Sequence, residues 1–318
     1  MLADVLVIVN PRAQSGGAAG RDRALIAARL KALPNVAAVE WSVTDHPGHA
    51  TDIAKEAADA GVRYVFAAGG DGTISEVVNG LMQSTHRPIF GVLPWGTLND
   101  FYRALVDAER TLPADQANIR LDIGRVQVDS LERYCCLSIS AGLSSWANMQ
   151  YQQAARRFGR ILGAIPAVLN TLLKYRRTPA ILLRLDEQPP NRRRMLALAI
   201  GNAATVGGGV RLTPDAKIDD GRFDLSIIKE ISLWRLAFVL IGARLVRHYR
   251  SRALEQFQAQ RMSITSARPI TINIDGEPLP LPGSQASSLS VTVLAATLQV
   301  VRPSLVTEIQ ITQRKALR

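Results

Sequence analysis

Four short strand-like runs, each followed by a helical stretch and three of them ended by a loop of small residues, constrain the first 130 residues more than any other feature. Val5-Leu-Val-Ile-Val9 is apolar throughout, as a strand buried on both faces of a parallel sheet must be. It ends at Asn10-Pro11, and small residues continue to Gly20 before a helical stretch from Arg21 to Ala32. Val39 to Thr44 reads as a second strand, with its helix over Gly48 to Ala60. Tyr64 to Ala68 is a third, running into Gly69-Gly70-Asp71-Gly72-Thr73 and a helix through Leu81. Pro88 to Leu93 is a fourth, and Pro94-Trp95-Gly96-Thr97 then opens another helix. This alternation predicts a three-layer α/β domain.

After about residue 120 the pattern changes. Leu121 to Val128, Tyr134 to Ser140, Ile181 to Leu185, Met195 to Ile200, Phe223 to Ile228, Met262 to Thr265, Ile270 to Ile274 and Ser290 to Val301 are strand-like, mostly without helices between them. That predicts an antiparallel sandwich or barrel, interrupted by helical insertions over Ala147 to Tyr175 and Ser232 to Gln260. The expected organisation is an α/β nucleotide-binding domain over residues 1–125 and a β-sandwich-like domain over 126–303. Residues 304–318 either form a tail or return to the first domain.

Composition supports two globular domains. With 318 residues, 47% hydrophobic and 20% charged, the chain can bury a core and is neither disordered nor a disulfide-stapled miniprotein. Cys135 and Cys136 are adjacent; neighbours in one strand point to opposite faces, which disfavours a disulfide and fits a reducing compartment. No signal peptide is visible, and the most apolar stretch, Ile231 to Val246, is interrupted by Arg235 and Arg244. A soluble, cytoplasmic protein is expected, peripheral on a membrane if associated with one.

Gly69 to Thr73 lies between a strand and a helix, where α/β proteins bind phosphate. Glycines let backbone approach an anion, and the helix N-terminus offers N–H groups and a positive dipole end. Asp71 at that spot would repel phosphate unless it held Mg²⁺ or took a proton, so it asks for chemistry; alternatively, the segment is a structural Gly-Asp-Gly turn. Asn10-Pro11 and Pro94 to Asp100 end two other parallel strands, and such ends line the ligand crevice of an open sheet. Neither a Rossmann G-x-G-x-x-G nor a Walker P-loop occurs.

The set of motifs resembles the diacylglycerol kinase catalytic-domain family, especially the soluble bacterial lipid kinases, which are related to sphingosine kinases and distantly to NAD kinases. The resemblance is carried by Asn10-Pro11, Thr44, Gly48-His49-Ala50, Gly69 to Thr73, Asn79-Gly80 and Pro94-x-Gly-Thr-x-Asn-Asp100. It continues through Gly201-Asn202, Gly207-Gly-Gly209, Pro214-x-Ala216, Asp219-Asp220-Gly221 and Asp275-Gly276-Glu277, in order along residues 1 to about 303. It implies ATP in a crevice between the domains, contacted by Asn10, Pro11, Arg12, Ala13, Gln14, Thr44, Gly69, Gly70, Asp71, Gly72, Thr73, Ile74, Ser75, Thr97 and Asn99.

The resemblance also assigns the acceptor side. Glu277 is the first candidate for the base that takes the proton of a lipid hydroxyl, with Asp275 the nearby carboxylate and Asp71 a competing base. A structural Mg²⁺ would be held by Asp220 with the main-chain carbonyls of Lys217 and Arg222. Read without the resemblance, Asp275-Gly276 after Ile270 to Ile274 is an ordinary hairpin turn. The chain departs from the family at Ser138, where an Asn is usual, and at Trp95 and Leu98, which replace smaller residues. Leu98 reads as packing and Trp95 as narrowing the adenine or acceptor side.

Lys+Arg 38 against Asp+Glu 27 gives a net charge of +11, which implies an anionic partner. Residues 150–194 carry a balance of +8, and residues 231–252 five Arg, no acid and several large apolar residues. Each segment reads either as a helix with a solvated basic face or as one suited to an anionic membrane surface. Nucleic acid is not expected, because aromatics are only 5% and no recognition signature occurs. The expected function is an ATP- and Mg²⁺-dependent lipid kinase acting on diacylglycerol or a related lipid alcohol. NAD kinase and a non-catalytic nucleotide-dependent membrane adaptor are the alternatives, and a homodimer is left open.

Overall fold

The computed structural model describes residues 4–13, 16–113, 116–158, 179–205, 210–246 and 249–306. They form two compact units. The first takes in the chain up to Ile123, Ile218–Asp220 and the described residues from Leu294 on; the second takes in Gly124–Lys217 and Gly221–Val293.

In the first unit β1 (Val5–Val9), β2 (Val39–Val43), β3 (Tyr64–Gly69) and β4 (Ile89–Pro94) alternate with α1 (Gly16–Leu30), α2 (His49–Asp59), α3 (Asp71–Gln83) and α4 (Asp100–Glu109). All four strands are parallel, in the order β2-β1-β3-β4, and the end of the last strand of the chain adds beside β4 with Val300 opposite Phe90. The apolar runs are buried as double-sided burial requires: Val5, Val7, Phe66, Ala68 and Leu93 pack with Ile26 and Leu30 of α1. Helices α2 and α3 approach so closely at Gly80 that any Cβ there would collide with the Thr51 carbonyl. Thr51 Oγ1 also donates to the Glu76 carbonyl at 3.0 Å.

The second unit contains β5 (Asn118–Val128, entered from the first unit), β6 (Leu131–Cys135), β7 (Ser138–Gly142), α5 (Leu143–Phe158), β8 (Ile181–Leu185), β9 (Asn191–Arg193) and β10 (Ala197–Gly201). It continues with β11 (Phe223–Ile228), α6 (Leu233–Leu245), β12 (Leu254–Ala259), β13 (Arg261–Ile274), β14 (Glu277–Pro278) and β15 (Gln285–Val301). One layer runs β12-β11-β10-β7-β13, antiparallel throughout; β8, β15 and, beyond β15, β5 and β6 extend the other from the same β13. β13 serves both layers because its register shifts between Thr265 and Ile270, around Pro269, which has no N–H to give a ladder. Met262 to Ser266 pair with β8, and Ile272 to Ile274 pair with β7. Val126, Ile139, Leu198, Phe223, Ile264 and Ile272 fill the space between the layers. The α/β-then-β-sandwich architecture is the one expected from the sequence.

Several boundaries differ from expectation, each for a physical reason. Tyr134 to Ser140 is two strands, because the N–H groups of Cys136, Leu137 and Ser138 turn to a side-chain carboxylate. The insertion expected over Ser232 to Gln260 is helical only to Leu245. Leu254 to Ala259 are good helix formers in part, yet their backbone completes the sheet edge against β11. Helix α1 starts at Gly16, five residues before the expected Arg21. Residues 159–178, which take in most of the insertion expected over Ala147 to Tyr175, lie outside the described residues, as do Gln14, Gly207 to Gly209 and residues 307–318.

Candidate active site

The strand order β2-β1-β3-β4 sends the chain to one side after β1 and to the other at β3, so the topological switch lies between β1 and β3. Connections there leave in opposite directions, which opens a crevice at the carboxyl ends of the strands. The residues that follow these two strands are Asn10 and Gly70 to Thr73. Asn10 Nδ2 donates to Thr73 Oγ1 at 3.0 Å, bridging the switch point. Its Oδ1 accepts the Arg12 N–H at 2.9 Å, an Asx-turn that shapes the loop over Pro11 and Arg12, both exposed. Thr44, buried just beyond β2, donates its N–H to the Val9 carbonyl at 2.9 Å.

The third loop is fitted against the second by backbone. A Cβ on Gly96 would collide with Gly70 Cα and lie 2.7 Å from Asn99 Oδ1; one on Gly70 would sit 3.3 Å from Gly96 Cα. The Trp95 N–H donates to the Gly69 carbonyl at 3.0 Å. Asn99 adopts φ 51°, ψ 45°, and its Nδ2 ties back to the Gly96 carbonyl at 2.9 Å. Gly70 caps α3 in an extended conformation without a side-chain bond, leaving backbone as the surface presented at that helix start.

Asp71 resolves its awkward charge in a way the sequence did not suggest. Its Oδ2 accepts the Asp100 N–H at 3.2 Å and its Oδ1 the Phe101 N–H at 3.1 Å. The carboxylate thereby meets the positive end of the α4 dipole. Thr97 and Leu98 are exposed, whereas Ile74 and Ser75 are buried along α3. Trp95 is buried in the core of the first unit with Val7 and Phe66, so it packs instead of narrowing a subsite, and Leu98, read as packing, is exposed.

In the second unit Asp275 and Gly276 form the turn from β13 to β14, with φ 49° and 82°. Both residues in the left-handed region is the signature of a type I′ hairpin. Asp275 is 7% exposed. Its Oδ1 accepts the N–H groups of Leu137 at 2.9 Å and Ser138 at 3.0 Å, and its Oδ2 accepts that of Cys136 at 3.1 Å. Both thiols reach it too, Cys135 at 3.1 Å and Cys136 at 3.4 Å, and neither cysteine forms a disulfide. Burial, reinforced by the Asp275 charge, pushes the Cys135 thiol well above its ordinary pKa.

Glu277, two residues on, is exposed at the start of β14. Sequence reasoning missed the groups that hold this turn. Asn148 of α5 donates to the Gly276 carbonyl at 2.8 Å, and Asn202, quoted only as part of a motif, donates to the Cys136 carbonyl at 2.9 Å. An Asn directly after a buried strand carries no periodic signal by which it could be found.

The loop before β11 places Asp219 and Asp220 at the surface beside exposed Lys217 and Arg222, with Gly221 turning at φ 75°. Within this loop the Ile218 carbonyl accepts the N–H of buried Asp122 at 2.8 Å. Carboxylate and carbonyl oxygens are the donor set a hard divalent cation takes.

Residues 4–129 match the diacylglycerol kinase catalytic domain, and residues 137–302 match the YegS C-terminal NAD kinase beta sandwich-like domain. The chain is 31% identical over 260 residues to a probable YegS-like lipid kinase of Stenotrophomonas maltophilia, covering 76% of this chain and 81% of that one. It is 27% identical over 235 residues to a diacylglycerol kinase of Staphylococcus saprophyticus, covering 74% and 76%. Among solved structures, a putative diacylglycerol kinase from Bacillus anthracis superposes with a TM-score of 0.70 at 21% identity, covering 95% of this chain and 98% of that one. A yeast NADH kinase superposes with a TM-score of 0.51 at 10% identity, covering 93% and 82%, and shares the fold alone. Two matched domains in sequence order, with these relatives across three quarters of the chain, make the protein a lipid kinase of the diacylglycerol kinase family.

Proposed function

We propose that the protein transfers the γ-phosphoryl group of ATP, with Mg²⁺, to a hydroxyl of diacylglycerol or a related lipid alcohol, working in the cytoplasm at the surface of an anionic membrane. The observation that carries the donor side is the backbone-to-backbone fit of Gly70 and Gly96 beside the Asn10–Thr73 bridge. Loops that meet without side chains leave N–H groups and small hydroxyls as the surface offered to a polyphosphate. Asn10, Arg12, Thr44, Gly70 to Thr73, Thr97 and Asn99 are the residues assigned to the nucleotide, with Pro11, Ala13 and Gln14 in the same loop. Ile74 and Ser75 support it from within α3.

Phosphoryl transfer asks mainly for positioning and charge neutralisation. Mg²⁺, when bound, neutralises charge on the transferring phosphates; a second, structural ion would suit Asp220 with the carbonyls of Lys217 and Arg222. Glu277 is assigned as the acceptor of the hydroxyl proton: it is the exposed carboxylate of the Asp275-Gly276-Glu277 turn, whereas Asp275 is engaged by three backbone N–H groups. Asp275 and Asp71 then act as positioning residues. Incubation with γ-labelled ATP, Mg²⁺ and a panel of lipid alcohols in mixed micelles, with NAD as a parallel acceptor, tests the reading. Label in a lipid alcohol is the expected result, and label in NAD overturns it.

A further inference from the structure

Helix α6 is apolar on both sides, but only one side is covered. Leu236 and Ala243 are buried against Leu196, Leu212 and Ile228 of the second unit, and Val239 between them is buried too. Its C-terminal turn is pinned as well, because Gly242 lies against the Tyr249 ring too closely for a Cβ. The opposite side presents Trp234, Phe238, Ile241 and Leu245, exposed by 82%, 71%, 55% and 77%. Spacings of four, three and four place these residues on one face. A stripe of this kind, contiguous and led by two aromatics, is far from the scattered apolar exposure of an ordinary surface.

We infer that α6 is an interfacial helix that docks the enzyme on an anionic lipid bilayer, lying in the plane of the membrane with this stripe in the headgroup boundary. The inference rests on the lipid-acceptor reading and names the surface by which that acceptor is reached. Charge selects the occupant: residues 231–252 hold five Arg and no Asp or Glu. Arg235, within the stripe's own turns, and Arg252 are exposed, while Arg250 pairs with Asp215 at 2.6 Å. An anionic headgroup layer complements that charge, whereas a second copy across a two-fold axis would set arginines against arginines. Thirteen residues span only about 20 Å, too short to cross a bilayer and long enough to lie on one. Among the described residues no helix is long and apolar enough to cross a membrane. The buried face holds the stripe rigidly on the sandwich, so insertion needs no refolding.

The test is flotation of the full chain with vesicles of phosphatidylcholine alone and of an equimolar phosphatidylcholine–phosphatidylglycerol mixture. The variants are Trp234→Ser/Phe238→Ser/Ile241→Ser and the charge reversal Arg235→Glu. All four positions are exposed, and an unchanged melting temperature checks the fold. Wild-type protein should float with the anionic vesicles, and bromine-labelled lipid should quench the part of its fluorescence that Trp234→Phe removes. The triple variant should lose partitioning by on the order of 100-fold. Arg235→Glu should lose on the order of several-fold, on anionic vesicles only. Equal flotation of the triple variant and wild type overturns the inference, as does failure of the wild type to bind anionic vesicles. So does a wild-type dimer that the triple variant dissociates without change in vesicle binding. Phosphorylation of a water-dispersed short-chain diacylglycerol should be the same for wild type and triple variant. If wild type floats through Trp234 but phosphorylates no lipid alcohol, docking stands and the acceptor assignment falls.

Discussion

Replacing Asp275 by Asn separates a carboxylate that holds structure from one that takes a proton. The change is nearly isosteric, but only one terminal atom can still accept. With the amide oxygen at the Oδ1 position, the bonds from Leu137 and Ser138 survive as neutral bonds. Charge-assisted bonds contribute about 1.5–3 kcal/mol and neutral ones about 0.5–1.5 kcal/mol, so each weakens by about 1 kcal/mol. The amide nitrogen then faces the Cys136 N–H, donor against donor, in a buried place. Leaving that N–H unsatisfied costs about 1–3 kcal/mol, for a total of about 3–5 kcal/mol. The flipped amide is worse, because it orphans two donors. For a unit of this size each kcal/mol shifts the midpoint by about 2–4 °C, so a fall of roughly 10 °C is expected in calorimetry. The contrast is Glu277→Gln, at an exposed side chain, which should shift the midpoint far less. An Asp275→Asn protein that melts with wild type yet has lost turnover would refute the reasoning and place Asp275 in contact with substrate.

Glu277→Gln should lower kcat by about 10²–10⁴-fold with the KM for ATP little changed, as removal of a general base does; steady-state kinetics at saturating lipid checks it. Asp71→Asn should lower both stability, by about 1–2 kcal/mol from the weakened α4 contact, and turnover, read in parallel melts and assays. Gly96→Ala drives a methyl group into Gly70 Cα, so nucleotide affinity in a fluorescent-ATP titration should fall by on the order of tenfold or more, with about 1–3 kcal/mol of destabilisation. Because the Cys135 thiol is held above its ordinary pKa, the folded chain binds more protons than the unfolded one once pH exceeds that ordinary value. This contribution to stability is therefore complete at neutral pH and declines as pH rises above the ordinary thiol value of 9.0. Urea midpoints from neutral pH upward should show the decline, and Cys135→Ser should flatten it.

What the sequence discloses here follows from periodicity and chain order. β1 and β3 are legible because burial on both faces demands unbroken apolar runs, and their ends fall where the runs stop. The type I′ turn at Asp275-Gly276 is legible because few residue pairs tolerate two positive φ values. What stays hidden depends on partners remote in sequence. Nothing local ends a strand at Cys135: the break comes from a carboxylate 139 residues away that draws the Cys136 N–H out of the ladder. β12 is hidden because Leu, Glu and Gln suit a helix until β11 offers its edge. The apolar residues of α6 were visible as composition, but which of them are covered is a property of the sandwich below.

Asp71 and Asp275 are two uses of one device. Asp71 opens helix α3 and Asp275 opens a type I′ turn, and each spends its carboxylate on backbone N–H groups of a segment far away in sequence: Asp100 and Phe101 for Asp71, Cys136 to Ser138 for Asp275. Backbone donors cannot be moved by rotating a side chain, so such contacts fix loop against loop more stiffly than side-chain pairs do. An Asp in a Gly-rich turn invites a catalytic reading from sequence alone, because an unpaired carboxylate near a phosphate site must do something with its charge. In both units backbone answers that demand. Glu277, the carboxylate proposed for proton transfer, is the exposed one, carried by a turn that Asp275 anchors and Asn148 ties to α5. The same logic orders the mutants: loss of an anchoring Asp should lower stability and turnover together, and loss of Glu277 should lower turnover with far less change in stability.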